Sequence, residues 1–373
     1  MRFLLPLLLL LSTTSLAQSV DTTTTTSPPS TRGWYLSTQS ELALTGTFGD
    51  QAQGGLLELY ATRIGYGVTD NLLIGAQIGV FGVFGGDGGG GFGAVVNVAP
   101  FLRYYLAMPA QRTRLFMEIG LGLNESQLIY FDGESPRYHA ALGLERRLTR
   151  GVYATAFLAY NGLEAGESEV SLSLGFNNFL RQLNFYDGQI GFSKGQFVLD
   201  NSWGVISLGG GSRFKDIQEN RQRTVDLTPN LGYFITNRLL AEATLTYERR
   251  SRKTVFEDDS FDERLEERGG AEVGLRYLLS PASRAVPYLA VSSSYSARRS
   301  AFGGTSEPIN SDSFFRSSAV SFTGAGGVLY RLRNQLLLDT NLSYRATSTS
   351  LSDGNARSGD IRIGLGLMVL LKR

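Results

Sequence analysis

Leu115-Phe116-Met117-Glu118-Ile119-Gly120-Leu121-Gly122-Leu123-Asn124 is the stretch that decides the fold. Leu115, Met117, Ile119, Leu121 and Leu123 make one apolar row, while Phe116, Glu118, Gly120, Gly122 and Asn124 make a mixed one. A period of two is the pleat of a half-buried strand, not the 3.6-residue turn of a helix. The same alternation sets Val170, Leu172, Leu174 and Phe176 against Ser171, Ser173, Gly175 and Asn177. It returns near the C-terminus, where Ile361, Ile363, Leu365 and Leu367 alternate with Arg362, Gly364 and Gly366. One face is continuously apolar and the other is small or charged. That suits a barrel whose outside meets lipid and whose inside is filled by its own side chains.

Connection lengths separate this from a soluble sandwich. Short links at 69–71, 108–113 and 149–151 alternate with longer ones at 50–55, 85–93, 130–136 and 162–168. Later, short links at 236–238, 280–285 and 333–334 alternate with longer ones at 213–223, 250–268, 296–313 and 345–358. Strict alternation is expected when every second turn faces the periplasm. Tyr66, Tyr104, Tyr233 and Tyr277 lie near short turns, and Tyr160, Tyr247 and Tyr344 near long ones, as two interfacial girdles require.

The halves repeat one another. Gly65-Tyr66-Gly67-Val68-Thr69-Asp70-Asn71-Leu72-Leu73 matches Gly232-Tyr233-Phe234-Ile235-Thr236-Asn237-Arg238-Leu239-Leu240. Leu102-Arg103-Tyr104-Tyr105-Leu106 matches Leu275-Arg276-Tyr277-Leu278-Leu279, and Arg147-Leu148-Thr149-Arg150 matches Arg331-Leu332-Arg333-Asn334. On these motifs and the Leu115–Gly120 strand, each half resembles the small outer-membrane β-barrel family typified by OmpX and the membrane domain of OmpA. The resemblance implies eight strands per half and no single shared activity. The expected fold is thus an all-β, transmembrane, antiparallel up-and-down barrel in two tandem eight-stranded repeats. One sixteen-stranded barrel is the alternative. Residues 33–180 form the first repeat, 181–195 a linker and 196–373 the second repeat.

The remaining N-terminal residues give an address. Met1-Arg2, the apolar run Phe3 to Leu11 and Ser15-Leu16-Ala17 make a secretory signal peptide, with cleavage after Ala17. Residues 18–32, rich in Thr, Ser and Pro, read as a flexible leader. The expected location is the outer membrane of a Gram-negative-type bacterium.

Composition narrows the chemistry. The 373 residues include 35 Lys plus Arg, 34 Asp plus Glu, one His, no Cys and 45 Gly. The charge balance argues against a nucleic-acid partner, and the lack of Cys removes disulfides and thiolate sites. No cofactor, metal or enzymatic activity is expected. The glycine-rich stretch 85–93 lacks the following helix that a phosphate loop needs. His139 shares the interior phase with Ala141, Gly143 and Glu145. Some outer-membrane lipid A deacylases of similar fold place a serine two residues after such a histidine, where Ala141 stands here. His139 is therefore expected to be a hydrogen-bonded interior residue. Glu257, Asp258, Asp259, Asp262, Glu263, Glu266 and Glu267 read as a solvated acidic loop.

Two groups of charged residues remain. Arg63, Arg103, Glu118, Glu145 and Arg147 take the non-lipid phase in the first copy. Glu242, Glu272, Arg276, Arg331, Asp339 and Arg362 take it in the second. Unpaired charges in a narrow barrel are costly, so an interior network of pairs is expected. Arg249, Arg250, Arg252 and Lys253, with Arg298 and Arg299, lie toward the outer rim as candidate contacts for lipopolysaccharide phosphate. The expected role is structural or one of surface interaction, such as adhesion or envelope integrity. A sixteen-stranded diffusion porin is the alternative. Expected partners are outer-membrane lipid, lipopolysaccharide and the outer-membrane insertion machinery, with any extracellular ligand left open.

Overall fold

The structure is a computed structural model, and it describes residues 32–37, 41–48, 54–84, 92–106, 113–121, 138–149, 151–162, 168–179, 191–200, 204–211, 217–256, 258–305, 309, 314–333, 336–351 and 354–371. The signal peptide, nearly all of the leader, most of the glycine-rich stretch and the linker up to residue 190 lie outside these residues.

All the elements described are strands. The first copy holds β1 (Gly33–Ser37), β2 (Glu41–Phe48), β3 (Gly54–Gly67), β4 (Leu72–Phe84), β5 (Phe92–Leu106), β6 (Thr113–Leu121), β7 (Tyr138–Thr149), β8 (Val152–Gly162) and β9 (Ser168–Phe179). The second holds β10 (Phe197–Asp200), β11 (Gly204–Gly211), β12 (Ile217–Leu227), β13 (Asn230–Phe234), β14 (Leu239–Phe256), β15 (Phe261–Leu278), β16 (Ala285–Gly304), β17 (Phe314–Arg333), β18 (Leu336–Leu351) and β19 (Gly354–Leu370). Every pairing among them is antiparallel.

At the short-turn end each copy closes on itself. β1 pairs with β3 on one edge and with β9 on the other, completing the ring β1-β3-β4-β5-β6-β7-β8-β9. Likewise β10 pairs with β13 and β19, completing β10-β13-β14-β15-β16-β17-β18-β19. These are the two tandem eight-stranded barrels.

Further from the short turns the closing edges change partner. β2 keeps β3 but now pairs with β19 of the other copy, from Glu41↔Gly366 to Phe48↔Gly359. β11 keeps β12 but now pairs with β9, from Gly204↔Leu174 to Gly210↔Ser168. The outer halves therefore join in one ring of sixteen strands. Tandem and single-ring closures coexist at opposite ends of one molecule.

The repeat is exact enough to copy single hydrogen bonds. Thr69 Oγ1 accepts from the amides of Asn71 and Leu72, and Thr236 Oγ1 accepts from those of Arg238 and Leu239. A register irregularity falls between Arg147 and Thr149 in one copy and between Arg331 and Arg333 in the other.

Several expected long loops are strand instead. β14 runs to Phe256 and β15 begins at Phe261, so most of the expected loop 250–268 is a hairpin arm. Asp262, Glu263, Glu266 and Glu267 stand on β15 rather than in a solvated loop. Similarly β16 extends to Gly304, and β18 and β19 reach Leu351 and Gly354. A wall with water on both faces has no need of an apolar row, so its residues lose the period-two signature while keeping the ladder.

The outward row remains apolar over a limited height. On β15, Leu275 and Val273 are exposed between Tyr277 and Gly269, and Glu267 follows. Nine residues from Gly269 to Tyr277, tilted as barrel strands are, rise roughly 20–25 Å, close to the thickness of a bilayer-facing belt. Exposed Trp34, Tyr66, Tyr104, Tyr233 and Tyr277 edge it at the short-turn end. Tyr138, Tyr160, Tyr247, Tyr295 and Tyr344 edge it on the other side.

Candidate functional site

The first barrel is filled by ions and rings. The pleat turns Arg103 of β5, Glu118 of β6 and Glu145 of β7 inward at neighbouring positions, with Arg103↔Glu118 directly in register. Arg103 donates from Nε to Glu118 Oε2 at 2.7 Å and from Nη1 to Glu145 Oε1 at 2.8 Å. Arg63 donates Nη1 to Glu118 Oε1 at 3.1 Å and Nε to Gln77 Oε1 at 3.1 Å. His139 Nε2 lies 2.8 Å from the same Glu118 oxygen. Arg103 and Glu145 are 0% exposed.

Arg114, which the sequence reading did not single out, is the third cation here. It donates Nη2 to Glu145 Oε2 at 2.6 Å, while its Nε and Nη1 find no acceptor. Its guanidinium instead lies over Tyr105, Tyr153 and Phe179, with the carbon 4.4, 4.1 and 4.5 Å from the ring centroids. Tyr105 and Asn177 also donate to Glu145, at 3.1 and 2.7 Å. Glycines make room for the rings: a Cβ on Gly143 would stand 2.2 Å from Phe116 Cζ. Arg147, expected in this network, is instead half-buried at the end of β7 and makes no ion pair with the cluster among the described residues.

The second barrel keeps the arginine but moves the acids. Arg276 matches Arg103 in the repeat, and it meets Glu242 on β14 at 3.0 Å and Asp339 on β18 at 2.7 Å. Tyr288 donates to Asp339 at 2.7 Å and lies beneath the Arg276 guanidinium. Toward the short turns, Phe234, Leu240, Leu278, Val286, Leu329, Leu337 and Met368 fill the lumen. Phe192, just ahead of β10, joins them from below. Arg331 belongs to this lower end: it donates to the Pro281 carbonyl and covers Phe192. On the other side of Arg276 is a cavity of about 210 Å³ that Glu272, Arg345 and Arg362 help to line. Glu272 pairs with Arg345 at 3.7 Å and accepts from Ser292 at 2.7 Å.

Between the barrels, outward-facing Val152, Leu336, Leu367 and Val369 are buried against one another, with Leu36 and Leu338 beside them. Lipid-phase side chains here meet a second barrel instead of lipid.

The six rim cations do not form one patch. Successive strand residues point to opposite faces, so Arg250, Arg252 and Arg298 take the inner face and Arg249, Lys253 and Arg299 the outer one. Inside, Arg250 meets Glu248 at 2.8 Å and Arg298 meets Glu266 at 3.4 Å, around a cavity of about 290 Å³. Outside, Glu267 pairs with Arg299 and accepts from Tyr247 at 2.8 Å. Burial alone would raise the Glu267 carboxyl, but the Tyr247 and Arg299 hydrogen bonds and the Arg299 charge hold it below the ordinary carboxylate value. Among the described residues no group of His, Asp and Glu is placed to hold a metal ion.

Fold and belt define the class: a transmembrane β-barrel of the outer-membrane type. No protein-family model matches the chain, and no curated protein is similar to it in sequence. Among solved structures it is similar to a bacterial polysaccharide outer membrane secretin, at 10% identity over 91% of this chain and 99% of that one, with a TM-score of 0.43. It is also similar to OmpT, an outer membrane protein of Vibrio cholerae, at 10% identity over 90% and 96%, with a TM-score of 0.28. The outer membrane protein OprG of Pseudomonas aeruginosa aligns at 13% identity over 49% of this chain and 99% of its own, with a TM-score of 0.24.

Proposed function

We propose that this is a non-conducting, non-enzymatic outer-membrane protein that turns its sixteen-stranded half outward in a structural or surface-interaction role. The observation that carries this reading is the pair of stoppers at the short-turn end. Arg103, Glu118, Glu145 and their rings fill one lumen, and Phe234, Leu240, Leu278 and Leu337 fill the other. An eight-stranded barrel has an interior just wide enough for side chains, and these side chains occupy it. The outer ring then leads to two closed ends and forms a blind vestibule. Such a vestibule holds a ligand or displays a surface but passes nothing through. Cofactors have no part in this reading.

The outer ring also supports the porin alternative, because sixteen strands alone enclose a water-sized channel. Planar bilayers separate the two. The unaltered protein is expected to give no stepwise conductance, whereas sustained porin-sized steps would decide for the porin. Orientation is read separately: protease added to intact cells should cut a site inserted at 258–260, and protection there would reverse the barrel.

A further inference from the structure

The outer face of β14–β18 carries a groove of about 840 Å³ directly above the apolar belt. Tyr247 and Tyr295 form its walls, and Gly269 leaves its floor open, with no atom within 4 Å of where a Cβ would stand. Over it, Arg249↔Glu267, Glu267↔Arg299 and Arg299↔Arg316 follow one another in register across four strands. Three positive charges and one negative leave this row with a net charge of +2. Arg299 is held by Glu267 and lies over Phe314. Arg316 directly faces Arg299 and has no ion-pair partner among the described residues. Like charges set opposite on adjacent strands repel, and a second anion beside Arg316 would relieve what Glu267 leaves uncompensated.

We infer that this groove seats a phosphorylated glycolipid of the outer leaflet, with phosphate on Arg299 and Arg316 and an acyl chain between Tyr247 and Tyr295. The inference rests on the membrane placement above. Charge and level both favour a lipid occupant. Guanidinium forks bind phosphate bidentately, and the row stands where the belt ends and headgroups begin.

The test is native mass spectrometry of the detergent-purified full chain, titrated with bisphosphorylated lipid A, its dephosphorylated form, or inorganic phosphate. Wild type is expected to retain the bisphosphorylated lipid. Arg299→Ala with Arg316→Ala should weaken retention by roughly tenfold or more, and Arg316→Lys should keep most of it. A Cβ at Gly269 meets no atom within 4 Å, so Gly269→Leu has room to enter the groove and should also weaken retention while heat-modifiable migration stays intact. Equal binding of the dephosphorylated lipid, competition by inorganic phosphate at the same concentration, or unchanged retention in both the double and Gly269→Leu variants would overturn the inference. So would a dimer that excludes lipid. A chain that stays soluble without detergent would instead defeat the membrane reading itself.

Discussion

At the scale of single residues, the two copies pose one electrostatic problem and solve it in two ways. Arg103 and Arg276 are equivalent, yet Arg103 faces Glu118 and Glu145, and Arg276 faces Glu242 and Asp339. Arg103 is sealed under aromatic rings, while Arg276 borders a cavity. Removing one partner of a buried pair strands the other charge, at a cost of about 3–5 kcal/mol. Arg103→Ala is therefore expected to lose roughly that much, read as a lower urea midpoint for the heat-modifiable band. Adding Glu118→Gln should recover part of the loss. Arg276→Ala should lose less, because water entering the cavity can solvate Glu242 and Asp339. Equal losses would mean that the cavity gives no relief. Phase alone made Arg103, Glu118 and Glu145 legible in the sequence. Arg114 carries the same two-residue spacing to Phe116 and Glu118, but it opens its strand directly after a turn, where the alternation has barely begun. What Arg331 does was not legible, since its acceptor is a backbone carbonyl of a neighbouring turn.

At the scale of elements, the hairpin of β14 and β15 rises above the belt on a backbone ladder flanked by charged side chains. Its ladder sets Arg249 against Glu267, Arg250 against Glu266 and Lys253 against Glu263. In Glu266, burial would raise the carboxyl, but the Arg264 hydrogen bond and the Arg264 and Arg298 charges hold it low. Glu267 is held low in the same way. A carboxylate with a depressed folded value stabilises fully above the unfolded value, near 4.3, and this contribution is lost as pH falls through the folded one. Asp226 goes the other way, raised by burial and by the Glu248 carboxylate beside it. Its protonation on acidification relieves its repulsion with Glu248. Hydrogen exchange along β14 and β15 should therefore hold steady from pH 7 to about 5 and quicken only below about 4. Loosening that begins near pH 6 would contradict this account. The missing apolar alternation predicts a loop here, and a wall wet on both faces has no such alternation to show. Short turns were easier to read, since Thr69 and Thr236 each bind two amides within their own turn.

At the scale of the whole molecule, the exchange of partners between copies is open to a direct test. A chain without native cysteine admits clean cross-linking. Leu42 and Leu365 are register partners across the two copies. Leu42→Cys with Leu365→Cys should form a disulfide under mild oxidation, because directly opposed strand residues lie within the required span. Leu42→Cys with Leu172→Cys should not, since Leu172 is occupied by Ile206. The reverse pattern would mean that each barrel closes alone along its full height. Nothing in the sequence could have shown the exchange. Strand edges offer the same amides and carbonyls whatever their side chains, and β9 and β19 are copies of one another.

That equivalence of edges has a consequence for assembly. Swapped and unswapped closures use the same four edges and form ladders of similar length, so backbone hydrogen bonding barely discriminates between them. The choice falls to solvation of the interior and to the order of events. A chain that zips β2 onto its own β9 before the second copy has arrived is committed to two narrow tubes. One that waits acquires a common mouth, and crossing back requires both seams to be unzipped together. Closure of this barrel is thus expected to depend on the order of events as well as on stability, and slowing delivery of its second half to the membrane should shift the product toward two narrow tubes.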